Sequence, residues 1–203
     1  SSPSYPGEFE GRGIVIPGGG MKYFPSAWIC IRMLRHFGCE LPIELWHLGP
    51  DEMTEEMRKI VEPYDVRCID ALEIRKDKPC RILGGWELKP YAIMHSRFSE
   101  VLLLDADNVV VNDPKYLFDT EQYKSHGAAF WPDFGRLEPT RDIWRLTGVP
   151  YRDEPEFESG QILVNKERCW EELHLTMWFN QYSDFWYRHI YGDKDTYHMA
   201  WRK

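Results

Sequence analysis

The chain has 203 residues, with 25 Lys and Arg against 33 Asp and Glu and a formal net charge of −8. That length suits one α/β domain with a substantial core, and the acidic balance offers no basic surface to nucleic acid or anionic lipid. No run approaches the roughly 18 apolar residues of a membrane span.

Residues 1–11 read as a flexible, polar lead-in, and residues 13–20 as a strand running into a glycine-rich turn. Residues 23–37 carry Trp28, Ile31, Met33, Leu34 and Phe37 near helical spacing, with Gly38 placed to end the helix. Residues 43–48 predict a second strand, residues 51–61 a charged helix begun by Asp51, and residues 65–69 a third strand. This βαβαβ order predicts a parallel sheet. Residues 70–79 read as a charged loop, and residues 86–98 as a helix leading to the apolar run Val101, Leu102, Leu103 and Leu104. Such a continuous run suits a strand covered on both faces.

Beyond it, residues 109–111 read as extended and Asn112, Asp113 and Pro114 as a turn. Residues 127–132 predict a strand, 139–146 a short helix, 161–165 a further strand and 168–190 one long aromatic-rich helix. A last helix starts in residues 192–196, with Asp193 or Asp195 as its cap. The five cysteines, Cys30, Cys39, Cys68, Cys80 and Cys169, contain no C-x-x-C pair, and most read as buried thiols. Nine Trp, eleven Tyr and ten Phe supply flat faces that serve a core or a sugar ring.

The chemistry concentrates where the apolar run stops, at Asp105 and Asp107. Two residues apart at the carboxyl end of a strand, they sit where open α/β sheets gather ligands. Two carboxylates suffice for a hard divalent ion if substrate phosphates and water complete its shell.

In motif order the chain resembles the GT-A-fold glycosyltransferases, within them the retaining group that includes glycogenin-like enzymes and fungal α-mannosyltransferases. The resemblance covers nearly the whole chain. It rests on Ile14-Val-Ile-Pro-Gly-Gly-Gly20, Trp86-Glu-Leu-Lys-Pro-Tyr91, Leu104-Asp-Ala-Asp107, Phe130-Trp-Pro-Asp133, Glu158-Ser-Gly-Gln-Ile-Leu-Val-Asn-Lys166 and Gly192-Asp-Lys-Asp195. It implies an α/β GT-A (Rossmann-like) domain over residues 12–203, with a mostly parallel central sheet flanked by helices.

The activity it implies is transfer of a hexose from a UDP- or GDP-sugar to a hydroxyl of a glycan or glycosylated acceptor, with retained configuration and Mn²⁺ or Mg²⁺ as cofactor. By the same resemblance Asp105 meets the ribose and the metal, and Asp107 the metal and diphosphate, with Ala106 between them in the donor site. Pro17, Gly18, Gly19 and Gly20 approach the nucleotide, and Lys89 lies near the diphosphate or donor sugar. Ser159, Gly160 and Gln161 face donor sugar and acceptor, and Glu158 bonds a hydroxyl. Asp133 matches a sugar-binding carboxylate, and Asp195, with Lys194, lies beside the anomeric carbon. Asp195, Glu158 and Asp133 are therefore the catalytic candidates.

Relatives commonly add a third metal ligand, often histidine, beyond the tract matching residues 192–201. Here the chain stops two residues past Trp201, and His198 reads as a packed helical residue. The expectation is an open metal site in a core that belongs to a longer protein, luminal in the Golgi if fungal-like and cytoplasmic otherwise.

Three other readings compete. An apolar strand ending in Asp-x-Asp also opens the aspartyl-phosphate phosphohydrolases, where the first Asp is a nucleophile. There the motif usually stands on the first strand, whereas about half of this chain precedes Asp105. A sugar-1-phosphate nucleotidyltransferase would share the sheet architecture, but residues 18–25 lack the Gly-x-Gly-x-Arg spacing of its glycine-rich signature. A non-enzymatic sugar-binding module is the third.

Overall fold

The computed structural model describes residues 3–203; the first two residues of the expected lead-in lie outside the described ones. Residues 3–10 form no helix or strand, yet they lie on the body of the domain. The rings of Tyr5 and Phe9 stand 5.4 and 5.7 Å from that of Trp170, whose Nε1 donates to Ser4 O at 3.0 Å.

From there β1 (Arg12–Pro17) runs into α1 (Gly20–His36), and β2 (Ile43–His47) leads through a 3-10 turn to α2 (Glu55–Val61). β3 (Val66–Asp70) is followed by α3 (Ala71–Asp77), and α4 (Leu88–His95) leads into β4 (Glu100–Leu104). α5 (Glu121–His126) precedes β5 (Ala128–Pro132), and α6 (Asp142–Thr147) precedes β6 (Phe157–Asn165). α7 (Trp170–Gln181), α8 (Ser183–Trp186) and α9 (Lys194–Arg202) follow.

The six strands form one sheet in the order β3-β2-β1-β4-β6-β5. β1 to β4 are mutually parallel, and β6 runs antiparallel to both its neighbours. Strand periodicity of two explains the double core. Ile14, Ile16, Leu102 and Leu104 face the layer with Ala27, Ile31 and Leu34 of α1. Val15, Val101 and Leu103 face the other, with Tyr91 of α4, Leu173 of α7 and Tyr197 of α9.

Several local expectations change. α2 is capped by Thr54, whose hydroxyl accepts from Met57 N at 3.3 Å, whereas Asp51 sits in the preceding 3-10 turn. Residues 71–77, expected as loop, are the helix α3, because Asp70 caps it by accepting from Leu72 N at 2.9 Å. Residues 109–111 join no strand, and α5 follows a 3-10 segment at Pro114–Asp119. The expected helix 168–190 breaks after Gln181. There the buried Asn180 donates to Thr176 O at 2.8 Å and to Thr196 Oγ1 at 2.9 Å, and accepts from Tyr187 OH at 2.5 Å. A network reaching α9 thus sets the break. α1 ends as predicted: Gly38, at φ 78°, donates to Arg35 O at 3.1 Å and Cys39 N to Leu34 O at 3.0 Å.

The glycine turn after β1 is shaped by the protein's own packing. A Cβ on Gly18 would stand 2.6 Å from Ala27 Cβ and 3.0 Å from Leu45 Cδ1; one on Gly19 would stand 2.6 Å from His47 Cβ. The turn is therefore pressed onto α1 and β2, and backbone alone fits. Gly18→Ala should destabilise the fold by about 1–3 kcal/mol through overpacking, read as a lowered urea midpoint with an unchanged slope; an unshifted midpoint would mean that the turn yields freely.

Candidate active site

The carboxyl ends of β1, β2 and β4 border a cleft of about 710 Å³, within the range of ligand pockets. Pro17, Gly18 and Gly19 line it from the end of β1, and Asp105, Ala106 and Asp107 from the end of β4. Gly20 begins α1 beside Glu52. β4 stops at Leu104, and a turn in which Asn108 N donates to Asp105 O at 3.0 Å presents both aspartates to the cleft. Gly160 O anchors this turn from β6, accepting from Asp105 N at 2.8 Å and from Asn108 Nδ2.

Lys89, the second residue of α4, is buried at the edge of the cleft. Its ammonium donates to Asp105 Oδ2 at 2.8 Å and approaches Ser159 Oγ and O at 3.3 and 3.4 Å. Asp193 Oδ1 lies 3.8 Å away. Burial disfavours the Lys89 charge, but Asp193 and Asp105 outweigh it and hold the amine above its ordinary range. Burial pushes the Asp105 carboxyl up, with Lys89 opposing. Asp193, 3 % exposed, is pushed up to about 7 by burial against the pull of Lys89.

The first turn of α9 points three successive side chains at three different partners. Asp193 faces Lys89, and Lys194 bridges Asp133 and Glu156. Asp195 Oδ2 accepts from Tyr191 N at 3.0 Å. Asp193 occupies the N-cap position of α9, one of the two expected, but its side chain turns to Lys89 and makes no cap bond; Asp195 lies within the first turn, fully buried. The hydrogen bond from Lys194 holds the Asp133 carboxyl below its usual range. Burial pushes Asp195 up to about 6, with the Tyr191 amide opposing.

The candidate residues thus fall into groups. Pro17, Gly18, Gly19, Lys89, Asp105, Ala106 and Asp107 line one cleft. Ser159 joins them through Lys89, and Gly160 through the Asp105 turn. Glu158 Oε1 accepts from Gly160 N at 2.7 Å. Asp133 and Asp195 belong to the adjoining Lys194 cluster, outside the cleft lining. Gln161 opens on a smaller cavity of about 220 Å³ beneath Val109 and Val110. His198 is buried, with Nε2 2.9 Å from Glu154 Oε1 and its ring stacked on Phe157 at 4.5 Å.

Among the described residues, no three His, Cys, Asp or Glu side chains converge as a metal cage. The donor set that does exist, Asp105 and Asp107 on the cleft wall, fits an ion that takes one or two carboxylates and completes its shell with phosphate and water. Sequence reasoning missed Asp193, Tyr23, Glu52 and Tyr187. Asp193 lies in the quoted Gly192 to Asp195 tract, but helical phase alone did not tell which carboxylate meets Lys89.

These features, a sheet with its Asp-x-Asp turn at the carboxyl edge of the central strand, define a GT-A-type glycosyltransferase fold. The galactosyltransferase LgtC, a solved structure, superimposes with a TM-score of 0.59 at 16% identity, over 93% of this chain and 70% of that one. The family model described as a mannosyltransferase matches residues 11–147, and the chain belongs to that family. The α-1,2-mannosyltransferase MNN2 of Saccharomyces cerevisiae is 30% identical over 96% of this chain, and MNN21 of Candida albicans, also an α-1,2-mannosyltransferase, 26% over 96%. The chain spans 40% and 38% of their respective lengths.

The Asp195 carboxyl carries a pH signature. Its pKa is raised on folding, so its contribution to stability is fully present below the unfolded value and lost as pH rises through about 6. Asp195→Asn, which removes the buried charge, should raise the melting temperature relative to the parent at about pH 8 and much less at about pH 4. An equal shift at both pH values would contradict the assignment.

Proposed function

We propose that the chain is the donor-binding and catalytic core of an α-1,2-mannosyltransferase that moves mannose from a nucleotide-diphosphate mannose to a hydroxyl of a glycan. The observation that carries this reading is the Asp105 and Asp107 pair on the lining of a 710 Å³ cleft shared with the Pro17 to Gly19 turn. Family membership and the α-1,2-mannosyltransferase relatives support the sugar and the linkage. The resemblance to the retaining GT-A enzymes supports transfer with retained configuration.

In this reading the nucleotide lies over the glycine turn, and the diphosphate between Asp105, Asp107 and Lys89. Mn²⁺ or Mg²⁺ held by Asp105 and Asp107 would supply Lewis-acid neutralisation of the departing diphosphate. Lys89 adds a fixed cation beside the same charge, in a site where burial strengthens its effect. The acceptor oxygen bonds to the anomeric carbon as the bond to the diphosphate breaks, and the leaving phosphate takes the acceptor proton. Glu158 and Asp133 hold and orient sugar hydroxyls around that centre, and Asp195, fully buried, acts through the Tyr191 backbone that it fixes. The phosphohydrolase alternative is disfavoured because β4 is the fourth strand of the chain and stands inside the sheet.

Calorimetry tests this assignment. The parent chain should bind a nucleotide-diphosphate mannose in the presence of Mn²⁺, and Asp107→Asn should weaken that binding by about tenfold or more, which is ~1.4 kcal/mol. Undiminished affinity in the variant would show that the ion is held elsewhere.

A further inference from the structure

Two exposed aromatic rings stand where the cleft meets the Lys194 cluster. Trp86 lines the cleft and is 46 % exposed; Tyr191 is 72 % exposed, and the two ring centroids lie 5.8 Å apart at 44°. Together they present flat apolar faces to solvent at the rim of the cleft. The pair is also firmly seated. Trp86 rests on the backbone of Gly192, where a Cβ would come within 2.8 Å of the indole, and Tyr187 supports it from 6.1 Å.

Their position is specific. Tyr191 and Gly192 immediately precede Asp193, which faces Lys89, which in turn holds Asp105. On the other side the Lys194 ammonium, shared by Asp133 and Glu156, lies 5.9 Å from the centre of the Tyr191 ring. The rings therefore join the Lys89 and Asp105 end of the cleft to the charged cluster of Lys194, Asp133 and Glu156. Flat aromatic faces flanked by carboxylates and an ammonium match a pyranose, which has an apolar C–H face and polar hydroxyls at its rim.

We propose that Trp86 and Tyr191 form the shelf on which the terminal hexose of the acceptor glycan stacks, with Lys194, Asp133 and Glu156 binding its hydroxyls. This deepens the mannosyltransferase reading and rests on it. The nucleotide base is assigned to the other end of the cleft, where Tyr23, Leu48 and Glu52 border the glycine turn.

The test titrates methyl α-mannoside and short manno-oligosaccharides into the 203-residue chain, alone and with nucleotide diphosphate and Mn²⁺. Tryptophan fluorescence and saturation-transfer NMR follow the sugar; calorimetry follows the nucleotide. Tyr191→Ala should weaken sugar binding by about two- to tenfold, the range of one aromatic contact, while Tyr191→Phe retains it and the nucleotide affinity of Tyr191→Ala stays at the parent value. Trp86→Ala should weaken the sugar as well. Sugar binding that ignores both substitutions, or no sugar binding by the parent in either state, would overturn the shelf. A loss of nucleotide affinity in Tyr191→Ala would also overturn it, by assigning the ring to the donor. A parent that binds sugar on these rings yet never binds nucleotide diphosphate would leave the shelf standing and refute the transferase reading.

Discussion

The ammonium of Lys89 is the point on which the site depends. Lys89 is 8 % exposed and holds its charge through anionic partners, Asp105 from the middle of the chain and Asp193 from near its end. One ion-paired cluster therefore ties the end of β4, the start of α9 and, through Ser159, the strand β6. Buried pairs of this kind contribute little net stability but are costly to break, because the survivor is left charged and dry. The cluster is better understood as fixing geometry: it sets where the Asp-x-Asp turn stands relative to the helix that carries Lys194 and Asp195.

That geometry explains why neighbouring residues in α9 have unlike roles. A helix turns about 100° per residue, so Asp193, Lys194 and Asp195 leave it in three directions. One meets the lysine of the cleft, one bridges two carboxylates of the β5 to β6 region, and one accepts from the backbone of Tyr191. The same turn ends the loop whose Gly192 gives Trp86 its seat. Cleft, charged cluster and aromatic rim are thus consequences of one helix start held against one lysine.

Much of this was legible in the residues. The apolar run from Val101 to Leu104, the β-loop-α alternation before it and the αL glycine after α1 correspond to β4, the parallel half of the sheet and the Schellman end at Gly38. What was not legible is set by distant contacts. The reversal of β6 has no local signal, since Phe157 to Asn165 would suit either direction. The break after Gln181 lacks glycine or proline and follows from Asn180 bonding to Thr196 and Tyr187. Asp70 read as the edge of a charged loop, although it caps a helix while also accepting from Gly49 N at 3.0 Å. In the site, spacing located Asp105 and Asp107, but the burial of Asp193 against Lys89 required the three-dimensional path of α9.

The central claim is that a nucleotide diphosphate and a divalent ion meet at the Asp105 and Asp107 turn beside Lys89. Crystals grown with nucleotide diphosphate and Mn²⁺, with diffraction recorded at the manganese absorption edge, examine it most directly. The account predicts one anomalous peak within bonding distance of Asp105 and Asp107 carboxylate oxygens, with diphosphate density reaching Lys89 and the nucleoside over Pro17 to Gly19. A manganese peak elsewhere, or nucleotide density away from these two turns, would contradict it.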